Sequence, residues 1–203
     1  MNRLYQTIEG YRPQCEQERA DRETMLYYLE RGDDLLTREN KLMHFTASSW
    51  VMDPHRRHAL MVHHNIYNAW SWIGGHADGC PDLFAVAKKE LAEETGVEAA
   101  VAVGEEPVTL EIIAVQAHEK NGAYVAPHLH FNVTYLFEAE EDVALRIKAD
   151  ENSGVMWRRV EDVRCDHTEP HMRRLYCKLL DRILVEDGPA PGFIRGKERL
   201  IVF

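Results

Sequence analysis

The sequence lacks long apolar runs and an excess of positive charge. No window approaches the roughly 18 to 20 apolar residues that are needed to cross a bilayer. The opening residues, MNRLYQTIEGYRPQ, contain no apolar segment of the kind found in secretory signals. The formal net charge of -10 argues against nucleic-acid binding, which a basic surface drives. These absences predict a cytoplasmic protein that binds neither membranes nor nucleic acid.

Cysteines are also few, and they are scattered. The four of them are irregularly spaced and include no CxxC pair. This spacing favours reduced thiols over disulfides, and a structural zinc site would need about four clustered ligands. The cysteines are Cys15, Cys80, Cys165 and Cys177.

The composition changes twice along the 203 residues, a length that suits one full-sized domain with a small appendage. Residues 1–42 include a charged stretch, Gln14 to Arg31, which predicts an N-terminal helical segment. A second short helix is expected from Leu35 to Asn40. Residues 43–187 are predicted to form the main domain. Residues 188–203, which begin with GPAPG, are predicted to form a C-terminal tail.

The main domain alternates predicted strands with predicted helices. Runs rich in β-branched and aromatic residues predict strands at 44–52, 58–64, 109–118, 128–139 and 154–160. Apolar residues at helical spacing behind Thr168-Glu169-Pro170 predict a long final helix. Most strands are close enough in sequence for hairpins. This order indicates a mixed sheet sandwiched by helices, an α+β fold.

The segment from Gly75 to Val97 carries the strongest chemical signal. It predicts a helix from about Leu83 to Thr95, with Asp82 as its N-cap and Gly96 as its C-terminal stop. The glycine-rich turn in front of this helix would let the backbone approach a ligand closely.

Three glutamates of this helix, Glu90, Glu93 and Glu94, stand at i, i+3 and i+4 and therefore share one face. Their like charges oppose one another, and a hard divalent cation such as Mg²⁺ would offset that repulsion. A solvated acidic face without a metal is the alternative for such a triplet.

The turn and the helix together resemble the signature of the Nudix hydrolases. The positions that match it at the required spacing are Gly75, Glu90, Leu91, Glu93, Glu94, Gly96 and Val97. Two positions depart from it, because Pro81 stands where a glutamate is expected and Lys89 replaces an arginine. Lysine cannot reproduce the planar fork of arginine, so the geometry of the turn is open.

The resemblance implies a Nudix-like α/β/α sandwich and the hydrolysis of a nucleoside diphosphate linked to another moiety. It implies Mg²⁺, or alternatively Mn²⁺, held by Glu90, Glu93, Glu94 and the Gly75 backbone. Glu93 and Glu94 are expected to be catalytic. Glu151, in the loop ADENSGV, corresponds to the late-loop glutamate that binds metal or acts as base in this family, although an ordinary exposed loop glutamate is an equal alternative.

Four further residues are predicted to contact a small phosphorylated substrate. His128 and His130 alternate on one face of a strand, where they would line the cleft or, alternatively, hold a transition metal. His76 follows the glycines directly, which should place it beside the metal. Lys120 would contact phosphate, although loop cations are usually only solvated.

Two other functions stay open for the sequence. One is a catalytically impaired Nudix-fold module that binds a nucleotide-like ligand, which the departures at Pro81 and Lys89 suggest. The other is an enzyme resembling isopentenyl diphosphate isomerase, which needs a cysteine and a separate acid that the sequence does not identify. A homodimer is a further expectation.

Overall fold

The computed structural model describes residues 3–120, 122–166 and 170–185, so the predicted tail, 188–203, lies outside the described residues. The helices are α1 (Arg3–Gly10), α2 (Glu16–Glu30), α3 (Leu83–Thr95), α4 (Val160–Cys165) and α5 (Pro170–Val185). The strands are β1 (Met43–Met52), β2 (His58–His64), β3 (Ala69–Ser71), β4 (Ile73–His76), β5 (Val101–Ala102), β6 (Thr109–Val115), β7 (His118–Lys120), β8 (Ala123–Val125), β9 (His128–Glu138) and β10 (Asn152–Arg159). Within these residues, no helix is both long and apolar enough to span a membrane.

An eight-stranded mixed sheet forms the centre of the fold. Its middle strand, β1, pairs in parallel with β9 and antiparallel with β2 and β4. Strands β10 and β3 extend the sheet beyond β2, and β6 and β5 extend it beyond β9. The hairpin of β7 and β8 forms a separate two-stranded sheet.

Successive side chains of each strand point to opposite faces of the sheet. Helices cover both of these faces. Phe45 of β1 belongs to a core shared with apolar residues of α1, α2 and α3. Trp50 and Met52, on the other face of the strand, pack with α5 residues such as Tyr176 and Leu179. The mixed sheet between helical layers confirms the predicted α/β/α sandwich.

Helix α2 lies within the charged stretch that predicts a helix, and α1 precedes that stretch, but no helix forms from Leu35 to Asn40. The side chain of Asp34 accepts hydrogen bonds from the backbone N–H groups of Leu36 and Thr37, which turns the chain. The Leu35 carbonyl accepts from the N–H of Phe45 (2.7 Å). The predicted short helix is therefore wrong, because side-chain and strand hydrogen bonds replace the helical ones.

Helix α2 covers the outer edge of strand β6. The backbone N–H of Ile112 donates to the carboxylate of Asp21 (2.9 Å), and the side chain of Gln17 donates to the carbonyl of Leu110 (3.4 Å). An uncovered strand edge would be free to pair with another chain. The N-terminal segment thus packs on the sheet, while its separation from the main domain at residue 42 stays a prediction.

A buried network of charges joins α2, β6 and α5. Glu18 is fully buried and accepts two hydrogen bonds from Arg182, at 2.7 and 2.9 Å. The ammonium of Lys178 lies 3.1 Å from Glu18 and 2.9 Å from the buried Glu111. Burial opposes ionisation of Glu18, but Arg182 and the other partners lower its pKa. The network keeps this carboxylate ionised inside the protein.

Candidate active site

Helix α3 has the boundaries that its capping residues predict. The side chain of Asp82 accepts a hydrogen bond from the N–H of Ala85 (3.2 Å) at the N-terminus. Gly96 ends the helix with a φ of 78°, the left-handed conformation that glycine adopts without strain. Leu83 and Leu91 face the core, which fixes the rotation of the helix and hence the direction of its glutamates.

Three carboxylates converge beside α3. Oxygen atoms of Glu90, Glu94 and Glu151 all lie within 4.8 Å of one another. Glu90 and Glu94 are only 8% and 5% exposed. Glu151 comes from the loop before β10, where its carbonyl accepts from the N–H of Asn65 (2.9 Å). The side chain of Asn152 donates to the Glu94 carbonyl (3.3 Å), which fastens this loop to the helix.

The buried position of Glu94 makes its ionised form unfavourable. Burial first, and then the negative charges of Glu90 and Glu151, raise the pKa of Glu94 to about 8. The charge of Lys148 and a hydrogen bond from the backbone of Gly74 act in the opposite direction without offsetting the shift. The Glu94 carboxylate is therefore stabilised by binding either a proton or a metal cation.

The glycine turn packs directly against these carboxylates. A Cβ atom at Gly75 would lie 2.5 Å from Cδ of Glu90, and one at Gly74 would lie 2.5 Å from the carbonyl oxygen of Ala47. Real Cβ atoms do not approach other atoms so closely, so a side chain at Gly74 would clash with backbone, and one at Gly75 would displace the side chain of Glu90. The predicted role of the Gly75 backbone in metal binding stays a prediction.

Glu93 lies apart from the three converging carboxylates and is paired with lysines. Its carboxylate is 2.9 Å from Lys89 and 3.5 Å from Lys148, and the hydrogen bond from Lys89 lowers the pKa of Glu93. Lys148 also lies 3.2 Å from Glu151. The structure groups Glu151, rather than Glu93, with Glu90 and Glu94. The metal-binding and catalytic roles of Glu93 stay predictions.

Lys148 was missed by the sequence analysis, although it stands three residues before Glu151. A lysine at that spacing from a candidate glutamate was the available signal. Its ammonium bridges the loop and the helix, since it lies between Glu151 and Glu93.

Comparison with known families identifies the family to which this fold belongs. The sequence model of the NUDIX domain family matches residues 42–179 of this chain. The chain belongs to the Nudix family. Helix α3, which carries the Nudix-like signature, is called the Nudix helix below. A comparison with the curated proteins gives no match.

Solved structures of Nudix proteins share the fold at low sequence identity. The binary complex of the C. elegans Ap4A hydrolase has a TM-score of 0.50 and 17% identity, and covers 68% of this chain and 93% of that one. A Nudix-family hydrolase from Clostridium perfringens has a TM-score of 0.49 and 15% identity, covering 69% and 97%. The MutT protein from Methanosarcina mazei Go1 has a TM-score of 0.48 and 14% identity, covering 71% and 95%.

The two departures from the Nudix signature lie at the start and the outer face of the Nudix helix. Lys89 contacts Glu90 (3.2 Å) as well as Glu93, so it neutralises part of the acidic face. Asp82, which follows Pro81, caps the helix and forms an ion pair with Arg3 (2.8 Å). The Asp82 carboxylate is thus engaged at the N-terminus of the helix and does not replace the missing glutamate.

The predicted substrate-binding histidines come together on the sheet. The ring centroids of His76 and His130 are 4.9 Å apart, and those of His128 and His130 are also 4.9 Å apart. Burial lowers the pKa of His76 to about 3. Lys120, at the end of β7, is exposed, and its charge further lowers the pKa of His76. Contact of these residues with substrate stays a prediction.

A fourth histidine, His44, lies among them and was missed by the sequence analysis. Its ring centroid is 5.0 Å from those of His76 and His128 and 5.1 Å from that of His130. His44 and His130 are register partners in the parallel pair of β1 and β9. No local pattern marked His44, because its neighbours come from distant parts of the chain.

Proposed function

We propose that this Nudix enzyme is a metal-dependent hydrolase that cleaves the diphosphate bond of a nucleoside diphosphate linked to another moiety. Mg²⁺ is the proposed cofactor, with Mn²⁺ as the alternative. The observation that supports the proposal is the convergence of Glu90, Glu94 and Glu151 within 4.8 Å, against a turn in which Gly75 packs directly on the Glu90 side chain.

The residues present fit a hard divalent cation. They offer carboxylate oxygens, which Mg²⁺ and Mn²⁺ prefer, and the Gly75 backbone lies against Glu90. Burial first, and then the charges of Glu90 and Glu151, raise the pKa of Glu94, so a cation beside it would stabilise its ionised form. When bound, a cation of this kind supplies the positive charge that polarises a diphosphate and lowers the pKa of a water molecule. A bound cation would also explain how a protein of net charge -10 accepts an anionic substrate.

The residues around the carboxylates hold them in place. Glu90 and Glu94 have little freedom, because they are buried on a helix that packs into the core. Glu151 is more accessible and belongs to a loop, and its ion pair with Lys148 orients it toward the helix. We assign Glu151 as the group that accepts the proton of the attacking water, since a base must lie within hydrogen-bond reach of it. Glu94 is assigned to the cation.

Turnover assays with a Glu94→Gln variant test the proposal. The substrates are dinucleoside polyphosphates, nucleoside diphosphate sugars and simple nucleotides, each with Mg²⁺, with Mn²⁺ and with a chelator. We expect Mg²⁺-dependent release of a nucleoside monophosphate, reduced at least about a hundredfold by Glu94→Gln. Glu98→Gln is the matched control, because Glu98 is an exposed glutamate just beyond the same helix.

Two results would contradict the proposal in different ways. Tight binding of one compound without turnover of any would favour a Nudix-fold binding module, which the departures at Pro81 and Lys89 suggest. Turnover that survives Glu94→Gln would refute the assignment of the cation to this carboxylate group.

A further inference from the structure

The four clustered histidines lie on a different face of the sheet from the Nudix helix. In β4, Gly75 faces Glu90, so the next residue, His76, points to the opposite face. His44 and His130 are register partners on β1 and β9, and Thr46, two residues beyond His44, is the register partner of His76. One ring nitrogen from each of these three histidines lies within 4.8 Å of the other two.

We infer that His44, His76 and His130 form a second metal site, which takes a divalent transition cation of the zinc class. Imidazole nitrogens suit zinc, cobalt and nickel, whereas Mg²⁺ prefers oxygen ligands and keeps its water. The histidine site would therefore be chemically separate from the carboxylate group of Glu90, Glu94 and Glu151.

The hydrogen bonds of His44 suit a role as a metal ligand. Its Nδ1 lies 3.1 Å from the carbonyl oxygen of Asn40, and a carbonyl can only accept, so Nδ1 carries the hydrogen. In the neutral ring, Nε2 then has a free lone pair. His44 is 5% exposed, and its buried Nε2 has no hydrogen-bond partner among the residues that the structure describes. Metal-ligating histidines commonly donate their other N–H to a backbone carbonyl in this way.

His128 lies beside the three ligands and forms a hydrogen bond with His130. Its Nδ1 is 2.9 Å from the carbonyl oxygen of Ala126, which leaves its Nε2 as an acceptor. The Nε2 atoms of His128 and His130 are 3.1 Å apart, so His130 donates the shared proton. Two nitrogens on a tetrahedral zinc ion are about 3.3 Å apart, given Zn–N distances of about 2.0–2.1 Å. For a cation to bind both Nε2 atoms, the hydrogen on Nε2 of His130 would move to Nδ1 of the same ring through exchange with water, and His128 could then occupy the fourth position.

The charge state of the site also suits a metal. Burial lowers the pKa of His44, of His76 and of His130, so the rings are neutral near pH 7, as ligands must be. Of the charged neighbours, Arg38 and Lys120 oppose a cation, while Asp78, which pairs with Arg38 at 2.8 Å, favours one. The three ligand nitrogens must close from at most 4.8 Å to about 3.3 Å, which side-chain rotation can supply.

Cobalt titration in excess Mg²⁺ tests the inference, because Mg²⁺ blocks the carboxylate group. We expect the full chain to bind Co²⁺ with visible absorption bands of tetrahedral geometry, and Zn²⁺ to displace it. His44→Gln and His130→Gln should each weaken binding at least about tenfold. His55→Gln is the matched control, since His55 is exposed and lies outside the cluster. Glu94→Gln should keep the cobalt bands even where it abolishes hydrolysis.

X-ray absorption of the zinc-loaded wild-type protein provides a measurement that does not depend on variants. The expected result is a nitrogen shell with the outer-shell scattering of at least three imidazoles. The inference is overturned if no Co²⁺ or Zn²⁺ binds in excess Mg²⁺, if folded His44→Gln and His130→Gln bind as tightly as wild type, or if the spectrum lacks imidazole scattering. None of these outcomes depends on whether the proposed hydrolysis is observed.

Discussion

Replacement of Glu94 by glutamine should stabilise the metal-free protein at alkaline pH. Burial and the charges of Glu90 and Glu151 raise the pKa of Glu94 from 4.5 to about 8. Below pH 4.5 the side chain is neutral in both the folded and the unfolded chain. As the pH rises from there to about 8, the unfolded chain loses this proton while the folded protein keeps it. The free energy of unfolding therefore falls across that window, and glutamine removes the fall.

The size of the effect follows from the shift. Each pH unit between the two pKa values corresponds to about 1.4 kcal/mol, so wild type loses up to about 5 kcal/mol between pH 4.5 and pH 9 through this one group. The glutamine variant loses none of it, because glutamine does not ionise. The two proteins should thus be similar in stability at pH 4.5 and differ by about 3–5 kcal/mol at pH 9.

Urea unfolding of chelator-treated protein, followed by circular dichroism at pH 4.5, 7 and 9, measures this difference. Mg²⁺ should raise the stability of wild type at pH 9 and have much less effect on Glu94→Gln, since binding to the folded state alone stabilises it. The exposed Glu98→Gln should follow wild type at every pH. Parallel curves for wild type and Glu94→Gln, or a less stable variant at pH 9, would refute the account of the site's electrostatics.

Two further substitutions test the packing of the site and of the helices. Gly75→Ala should displace the carboxylate of Glu90 and lower kcat by about a hundredfold. Circular dichroism should show that the fold is retained. An unchanged kcat would show that the close approach of Gly75 to Glu90 is not needed. Arg182→Ala removes the main partner of the buried Glu18 and should cost about 3–5 kcal/mol in urea unfolding at pH 7, whereas the exposed Arg174→Ala should cost little. A loss below about 1 kcal/mol for Arg182→Ala would mean that Lys178 alone satisfies the carboxylate.

Local patterns predicted the elements that depend on neighbouring residues. Helix α3 runs from Leu83 to Thr95, as its N-cap and glycine stop indicated, and β2 spans the predicted residues 58–64. Caps and alternation are short-range, so the sequence contains them directly. The helix expected at residues 35–40 failed where Asp34 provided competing hydrogen bonds, which a helical pattern does not reveal.

Long-range pairing was not predictable in the same way. His44 meets His130 because β1 and β9 pair in parallel across 86 residues, and nothing in either strand specifies the other. Glu151 reaches Glu90 and Glu94 for a similar reason, since the loop before β10 is placed by the order of strands in the sheet. The family resemblance names Glu151 beside the expected metal ligands, but it does not reveal that Glu151, rather than Glu93, groups with Glu90 and Glu94.

The buried ion pair of Glu18 and Arg182 affects when the chain can complete its folding during synthesis. The two residues are 164 positions apart, so at roughly 5–20 residues added per second the ribosome makes Arg182 about 8–30 seconds after Glu18. During that interval Glu18 has no arginine partner, and a hydrated carboxylate does not enter the core. Strand β6 ends at Val115, so its outer edge is uncovered by α2 only in the later part of this interval, from the synthesis of Val115 to that of Arg182. A chaperone that shields strand edges would have its main opportunity to act in those seconds.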